Sequence, residues 1–164
     1  TWEHQALIRA RPIAGDTSVC ETFERIRKII LTRDRSGTDL KKDVADMRER
    51  MRDQRLKPQK DAVDLKQSPG GIVDIEFLVQ YLVLAHGHAF PDVTVWTDNI
   101  RLLESLNTEG VISAPESEQL QQAYVSMRQA IHRQNLQEKG PDSGEAQFSE
   151  DMKHVQALVD RYMK

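Results

Sequence analysis

The sequence predicts an all-α bundle of about seven helices in 164 residues. Apolar residues recur at i, i+3 and i+4 in successive windows instead of alternating. Helix-start residues stand in front of most of those windows, and no run carries a firm strand signature. Seven short helices without a sheet bury their stripes only against one another, which makes a bundle.

The first helix is expected over Trp2 to Arg11, stopped by Pro12, whose ring removes a backbone donor. A second follows Gly15-Asp16-Thr17. There Ser18 and Glu21 have capping-box spacing, and Val19, Phe23, Ile26 and Ile30 form the expected inward stripe, with Cys20 beside it as a small core residue. Residues 32–37 read as a loop. Thr38 then caps a third helix with Leu40, Val44, Met47 and Met51 inward, and with Asp46–Arg50 and Glu49–Arg52 spaced to pair on its other faces.

Residues 57–71 form the longest non-helical stretch, within which Ala62 to Leu65 reads as a short extended segment. The fourth helix, about Ile72 to His86, is apolar on most faces and belongs at the centre of the bundle. A short fifth helix runs from about Asp98 to Leu106 behind Thr97. The sixth opens on the capping box Ser113-Ala-Pro-Glu116 and runs to about Gln137, with Leu120, Tyr124, Met127 and Ile131 inward. Residues 140–144 read as a mobile turn. The seventh helix starts near Ser149 and buries Met152, Val155, Val159 and Tyr162.

Composition narrows the function classes. With 38% hydrophobic and 30% charged residues the chain has material for a core and is not disordered. One cysteine excludes an internal disulfide and a thiolate zinc site, which points to a reducing, cytoplasmic setting. The longest apolar stretch, Ile75 to Ala85, is interrupted by Glu76 and Gln80 and is too short for a bilayer core of about 30 Å. The chain opens at Thr1-Trp2-Glu3-His4, already inside a helix, and is expected to be one helical domain, residues 1–164, of something longer.

The net charge of −3 hides an asymmetry: residues 1–60 hold 15 Lys/Arg against 10 Asp/Glu, and residues 61–164 hold 8 against 16. The basic part either faces an anionic partner or pairs with the acidic part of the same fold. Nucleic acid is excluded as a partner, because the pI is near 6.0 and no aromatic residues interleave the Lys/Arg cluster.

Gly70-Gly71 before the fourth helix, with Asp74 and Glu76 in its first turns, is the most unusual local pattern. A glycine pair at a helix start can bring N–H groups close to an anion, with Lys66 near enough to assist, whereas first-turn carboxylates also simply suit the helix dipole. Asp74 and Glu76 are two apart and point away from each other, so they cannot share a metal and at most one faces a cleft. Metal-dependent phosphoryl chemistry commonly needs Asp-x-Asp on a strand, and the sequence has none; no catalytic residue and no metal ligand is assigned. The histidines are scattered, and no P-loop or nucleophile elbow occurs. Arg9 and Arg11 are candidate anion contacts beside Pro12.

Trp2-Glu3-x-x-Ala6-Leu7-x-Arg9-Ala10-Arg11, Asp46-Met47-Arg48 and above all Asp64-Leu65-Lys66-x-x-x-Gly70-Gly71-Ile72-x-Asp74-Ile75-Glu76-Phe77 resemble the glutamine synthetase adenylyltransferase family. Asp98-Asn99-x-Arg101 continues the resemblance, which covers essentially the whole chain. It implies a duplicated enzyme in which each half has a nucleotidyltransferase core followed by a helical domain. One half removes AMP from a tyrosine of glutamine synthetase; the other attaches it with ATP and Mg²⁺.

The Trp2-Glu3-His4 opening and the Asp74 form of the motif look more like the adenylyl-transferring half, of which this chain is then the C-terminal helical domain. The family's Asp-x-Asp pair would lie upstream, so the resemblance places no catalytic or metal site here. It implies instead that Lys66, Gly70, Gly71, Asp74 and Glu76 border the cleft against that core. Implied partners are glutamine synthetase, the PII signal protein and the core itself. The helical domain of a PII uridylyltransferase and a stand-alone helical interaction module are the alternatives.

Overall fold

The structure, a computed structural model, describes residues 1–55, 64–136 and 145–163. Among the described residues it is all helical: α1 (Trp2–Arg9), α2 (Thr17–Leu31), α3 (Leu40–Arg55), α4 (Ile72–His86), α5 (Asn99–Thr108), α6 (Ala114–Leu136) and α7 (Glu145–Met163). A 3₁₀ turn at Pro91–Thr94 precedes α5. No described helix is long and apolar enough to cross a membrane.

The bundle is built around α4, which packs against α1, α3, α5, α6 and α7. Its sequence explains that position: Ile72, Val73, Ile75, Phe77, Leu78, Val79, Leu82, Val83 and Leu84 are buried on every side. Burying such side chains stabilises by about 1.5–3 kcal/mol each before the entropic cost of ordering them. The polar positions Glu76 and Gln80, one turn apart, leave a single hydrophilic stripe, and α1 lies over it: Gln5 Nε2 donates to Gln80 Oε1 at 3.0 Å.

Several ends and faces differ from expectation. Helix α1 stops at Arg9, with Ala10 extended, because the buried Arg27 guanidinium takes over its terminal carbonyls, donating to Leu7 O at 3.1 Å and Ile8 O at 2.8 Å. Asp16, not Ser18 with Glu21, caps α2, accepting from Ser18 N at 2.9 Å. The expected α2 stripe points the wrong way. Val19 and Ile26 are exposed and Phe23 and Ile30 only partly covered, while Arg27 and Leu31 are buried, since α2 packs mainly on α1 and the 3₁₀ turn.

On α3 the two expected ion pairs do not form: Arg50 Nε bonds the Asp46 carbonyl at 3.2 Å, and Arg52 reaches across to Asp74. Asp98 rather than Thr97 caps α5, accepting from Arg101 N at 3.0 Å, and α7 begins four residues before Ser149. The α6 capping box forms as read, with Ser113 N donating to Glu116 Oε2 at 2.8 Å. Leu65 sits in a turn rather than an extended segment; Ala62, Val63 and the expected turn at 140–144 lie outside the described residues.

Candidate functional site

The glycine motif folds as a tight turn pinned under α4. Asp64 Oδ1 accepts from the N–H groups of Lys66 and Gln67, at 2.8 and 3.1 Å, and starts the turn. The first N–H groups of α4 are then all used: Ile72 N bonds Leu65 O, Val73 N bonds Lys66 O, and Asp74 N and Ile75 N bond Gly71 O. No free donor remains there for an anion. Gly70 has φ +77°, and a Cβ on it would stand 2.0 Å from the Met152 carbonyl of α7; one on Gly71 would meet Leu65 O at 2.6 Å. The pair is there so that two backbones can touch.

Asp74 points inward toward α3. It is only 1% exposed and takes bonds from Arg48 Nε at 2.5 Å, from Arg52 at 3.1 and 3.2 Å, and from Gly70 N at 2.7 Å. Arg48 also donates to the Gln67 carbonyl at 2.9 Å and lies 5.9 Å over the Phe77 ring. One buried carboxylate thereby ties α3, the 65–71 turn and α4 together, with its acceptor sites filled.

Glu76 points the other way, into a groove floored by the polar stripe of α4. Arg9 Nη1 donates to Glu76 Oε1 at 2.8 Å, and Tyr124 of α6 donates its hydroxyl to the same oxygen at 3.4 Å. Burial disfavours the Arg9 charge, but attraction to Glu76 outweighs it and holds the guanidinium above its ordinary value.

The groove has two chambers of about 300 Å³ that share Arg9, Lys66 and Glu76. One, between α4 and α6, adds Tyr124, Arg128 and His132. The other, under α1, is more apolar and adds Trp2, Gln5, Met51, Phe77 and Gln80. Lys66 and Arg128 form no ion pair with any described carboxylate, and Arg128 instead lies 5.5 Å over the Tyr124 ring. Among the described residues, the α4–α6 chamber thus carries three cations against one carboxylate.

The structure divides the residues named from sequence. Lys66, Glu76 and Arg9 line the groove together, whereas Gly70, Gly71 and Asp74 are buried beside it, and Arg11 points to Thr97, 3.4 Å away. Missed were Arg48, Arg52, Trp2, Tyr124 and Arg128. Arg48 stands one turn after Val44 on α3, and Tyr124 and Arg128 are one turn apart on α6; that spacing puts each pair on one helix face but does not say what the face meets. No group of three His, Cys, Asp or Glu side chains among the described residues is placed to hold a metal.

Residues 38–161 match the family model described as GlnD PII-uridylyltransferase. The chain is also similar to the bifunctional glutamine synthetase adenylyltransferase/adenylyl-removing enzymes of two Shewanella species. It is 41% identical to that of Shewanella oneidensis over 99% of the chain. It is 43% identical to that of Shewanella woodyi over 100% of the chain. The chain spans 17% of the length of these curated relatives.

Proposed function

The chain belongs to the GlnD PII-uridylyltransferase family, and from that premise we propose that residues 1–164 are one helical domain of an enzyme that adenylylates glutamine synthetase. It is the C-terminal helical domain of the adenylyl-transferring half, packed against a nucleotidyltransferase core outside this chain. In the cytoplasm it contributes to binding of glutamine synthetase or to communication with the PII protein. The observation that carries this reading is the groove: Lys66, Arg9 and Arg128 surround Glu76 beside the glycine turn, with Lys66 and Arg128 exposed.

ATP and Mg²⁺ fit this chain differently. The groove cations suit the phosphates of a nucleotide. Glu76, the one carboxylate lining the groove among the described residues, is committed to Arg9, so these residues do not fit a magnesium site, and no step is routed through one. What this chain supplies is positive charge beside the cleft, with Lys66 toward a nucleotide or a core carboxylate, and Asp74 and the glycine pair as the rigid support under it.

Transfer of labelled AMP to glutamine synthetase tests this reading. The chain alone should transfer none, the full-length enzyme should transfer, and Lys66→Ala in that enzyme should slow it at least tenfold. Transfer by the chain alone, or an unaffected Lys66→Ala enzyme, would overturn it. A uridylyl enzyme of the same architecture is the competing reading, raised by the family model; near-complete coverage of the chain by adenylyltransferases favours the first. UTP supporting labelled transfer to PII where ATP supports none to glutamine synthetase would reverse that preference.

A further inference from the structure

We propose that this chain by itself binds a nucleoside monophosphate across the two chambers of the groove, with the phosphate held by Lys66, Arg9 and Arg128 and the base lying in the chamber under α1 against Trp2. The inference deepens the adenylyl reading above and rests on it only for the choice of adenine.

Each half of the ligand is matched by what lines its chamber. Three cations and one carboxylate face the α4–α6 chamber, and two of those cations lack any anionic partner among the described residues. Unpaired cations in a concave, partly desolvated site attract an anion more strongly than exposed ones do. The chamber under α1 offers the opposite chemistry: the exposed Trp2, the flexible Met51 and the Phe77 ring form walls for a flat apolar group. The amides of Gln5 and Gln80 provide donors and acceptors at its polar edge.

Each chamber, at about 300 Å³, is at the lower end of the range for small-ligand pockets, which suits half of a mononucleotide. Arg9 lies between the two and is already aligned by Glu76 at 2.8 Å. An arriving phosphate therefore competes with Glu76 for Arg9. Removal of the Glu76 charge should then tighten binding, the opposite of what a ligand-contacting carboxylate would show.

Calorimetric titration of the 164-residue chain without added metal tests this, with AMP, adenosine and inorganic phosphate as parallel probes. AMP should bind at least tenfold more tightly than either fragment. Lys66→Ala with Arg128→Ala should weaken AMP at least tenfold. Trp2→Ala should weaken AMP but not phosphate, and Glu76→Gln should strengthen AMP. Absence of saturable AMP binding at millimolar concentration would overturn the proposal, as would adenosine or phosphate binding as tightly as AMP, or AMP affinity untouched by the double substitution. UMP bound more tightly than AMP would keep the nucleotide site while removing the adenylyl reading. Because the core takes no part, a failure here is separable from failure of the transfer assays.

Discussion

Asp74 and Glu76 sit two residues apart on one helix in one short motif, and they occupy opposite kinds of surroundings. On the α3 side, Asp74 is enclosed and answered by two arginines and a backbone N–H. On the α1–α6 side, Glu76 shares an open groove with one arginine that it pairs, and with Lys66 and Arg128, which it does not. Equal charges in the same motif therefore do different work. One fixes where α3 and the glycine turn sit, and the other sets the balance of a surface that retains positive charge. The lesson is that the motif is half scaffold and half groove lining.

The largest effect should come from the buried side. Asp74→Ala leaves Arg48 nearly enclosed without its counter-charge, and removing one partner of such a pair typically costs about 3–5 kcal/mol. For a chain of this size that lowers the melting temperature by about 10 °C or more, readable by circular dichroism. Gly70→Ala comes next. It forces a left-handed residue to carry a Cβ into the Met152 carbonyl, so α7 must move, at about 2 kcal/mol or more. A normal melting temperature for either would remove the scaffold half of the comparison.

Glu76→Gln should move stability by less than about 1 kcal/mol, because its pair with the half-exposed Arg9 is screened by water. Denaturant midpoints of Asp74→Ala and Glu76→Gln measured side by side sharpen the contrast; equal losses would erase it.

The smallest effect is a pH dependence at the α6 capping box. Burial alone would raise the Glu116 carboxyl, but bonds from Ser113, the Arg161 charge and the Tyr162 hydroxyl hold it below its ordinary value. A carboxylate depressed in the folded state adds stability that is present above its unfolded value of about 4.3 and fades as pH falls through its folded one. Melting temperatures of the wild type and Glu116→Gln should therefore differ at pH 6 and converge toward pH 3. A constant gap would count against the box as the source.

Much of this architecture was legible in the sequence, because α4 is apolar on most faces and only a central position satisfies it. The Ser113–Glu116 box was equally readable, being local chemistry with fixed spacing. The α2 stripe failed for a physical reason. Val19 and Ile26 have helical period, but period does not say which face meets a neighbour, and Arg27 buried its stem there by reaching three carbonyls. The lining of the groove was half legible. Lys66 and Glu76 follow from the motif, and Asp74 was correctly separated from Glu76 by helix geometry. Its partners Arg48 and Arg52, and the groove walls Trp2 and Arg128, are brought in by tertiary packing at long sequence separation, which no local pattern carries.

Five arginines of the basic first third likewise spend their charge inside the fold. Arg9, Arg48 and Arg52 pair with carboxylates beyond residue 60, and Arg27 and Arg35 cap helix ends.

The division of the motif into scaffold and site is tested most directly by measuring, in the full-length enzyme, the AMP-transfer rate and the melting temperature of Lys66→Ala beside those of Asp74→Asn. Lys66→Ala should lose at least tenfold in rate with its melting temperature within about 2 °C of wild type, as expected for an exposed side chain that acts on the reaction. Asp74→Asn should lose melting temperature first and rate only in proportion to unfolding. A Lys66→Ala enzyme with near-normal transfer and a lowered melting temperature would contradict the division and make the whole motif structural.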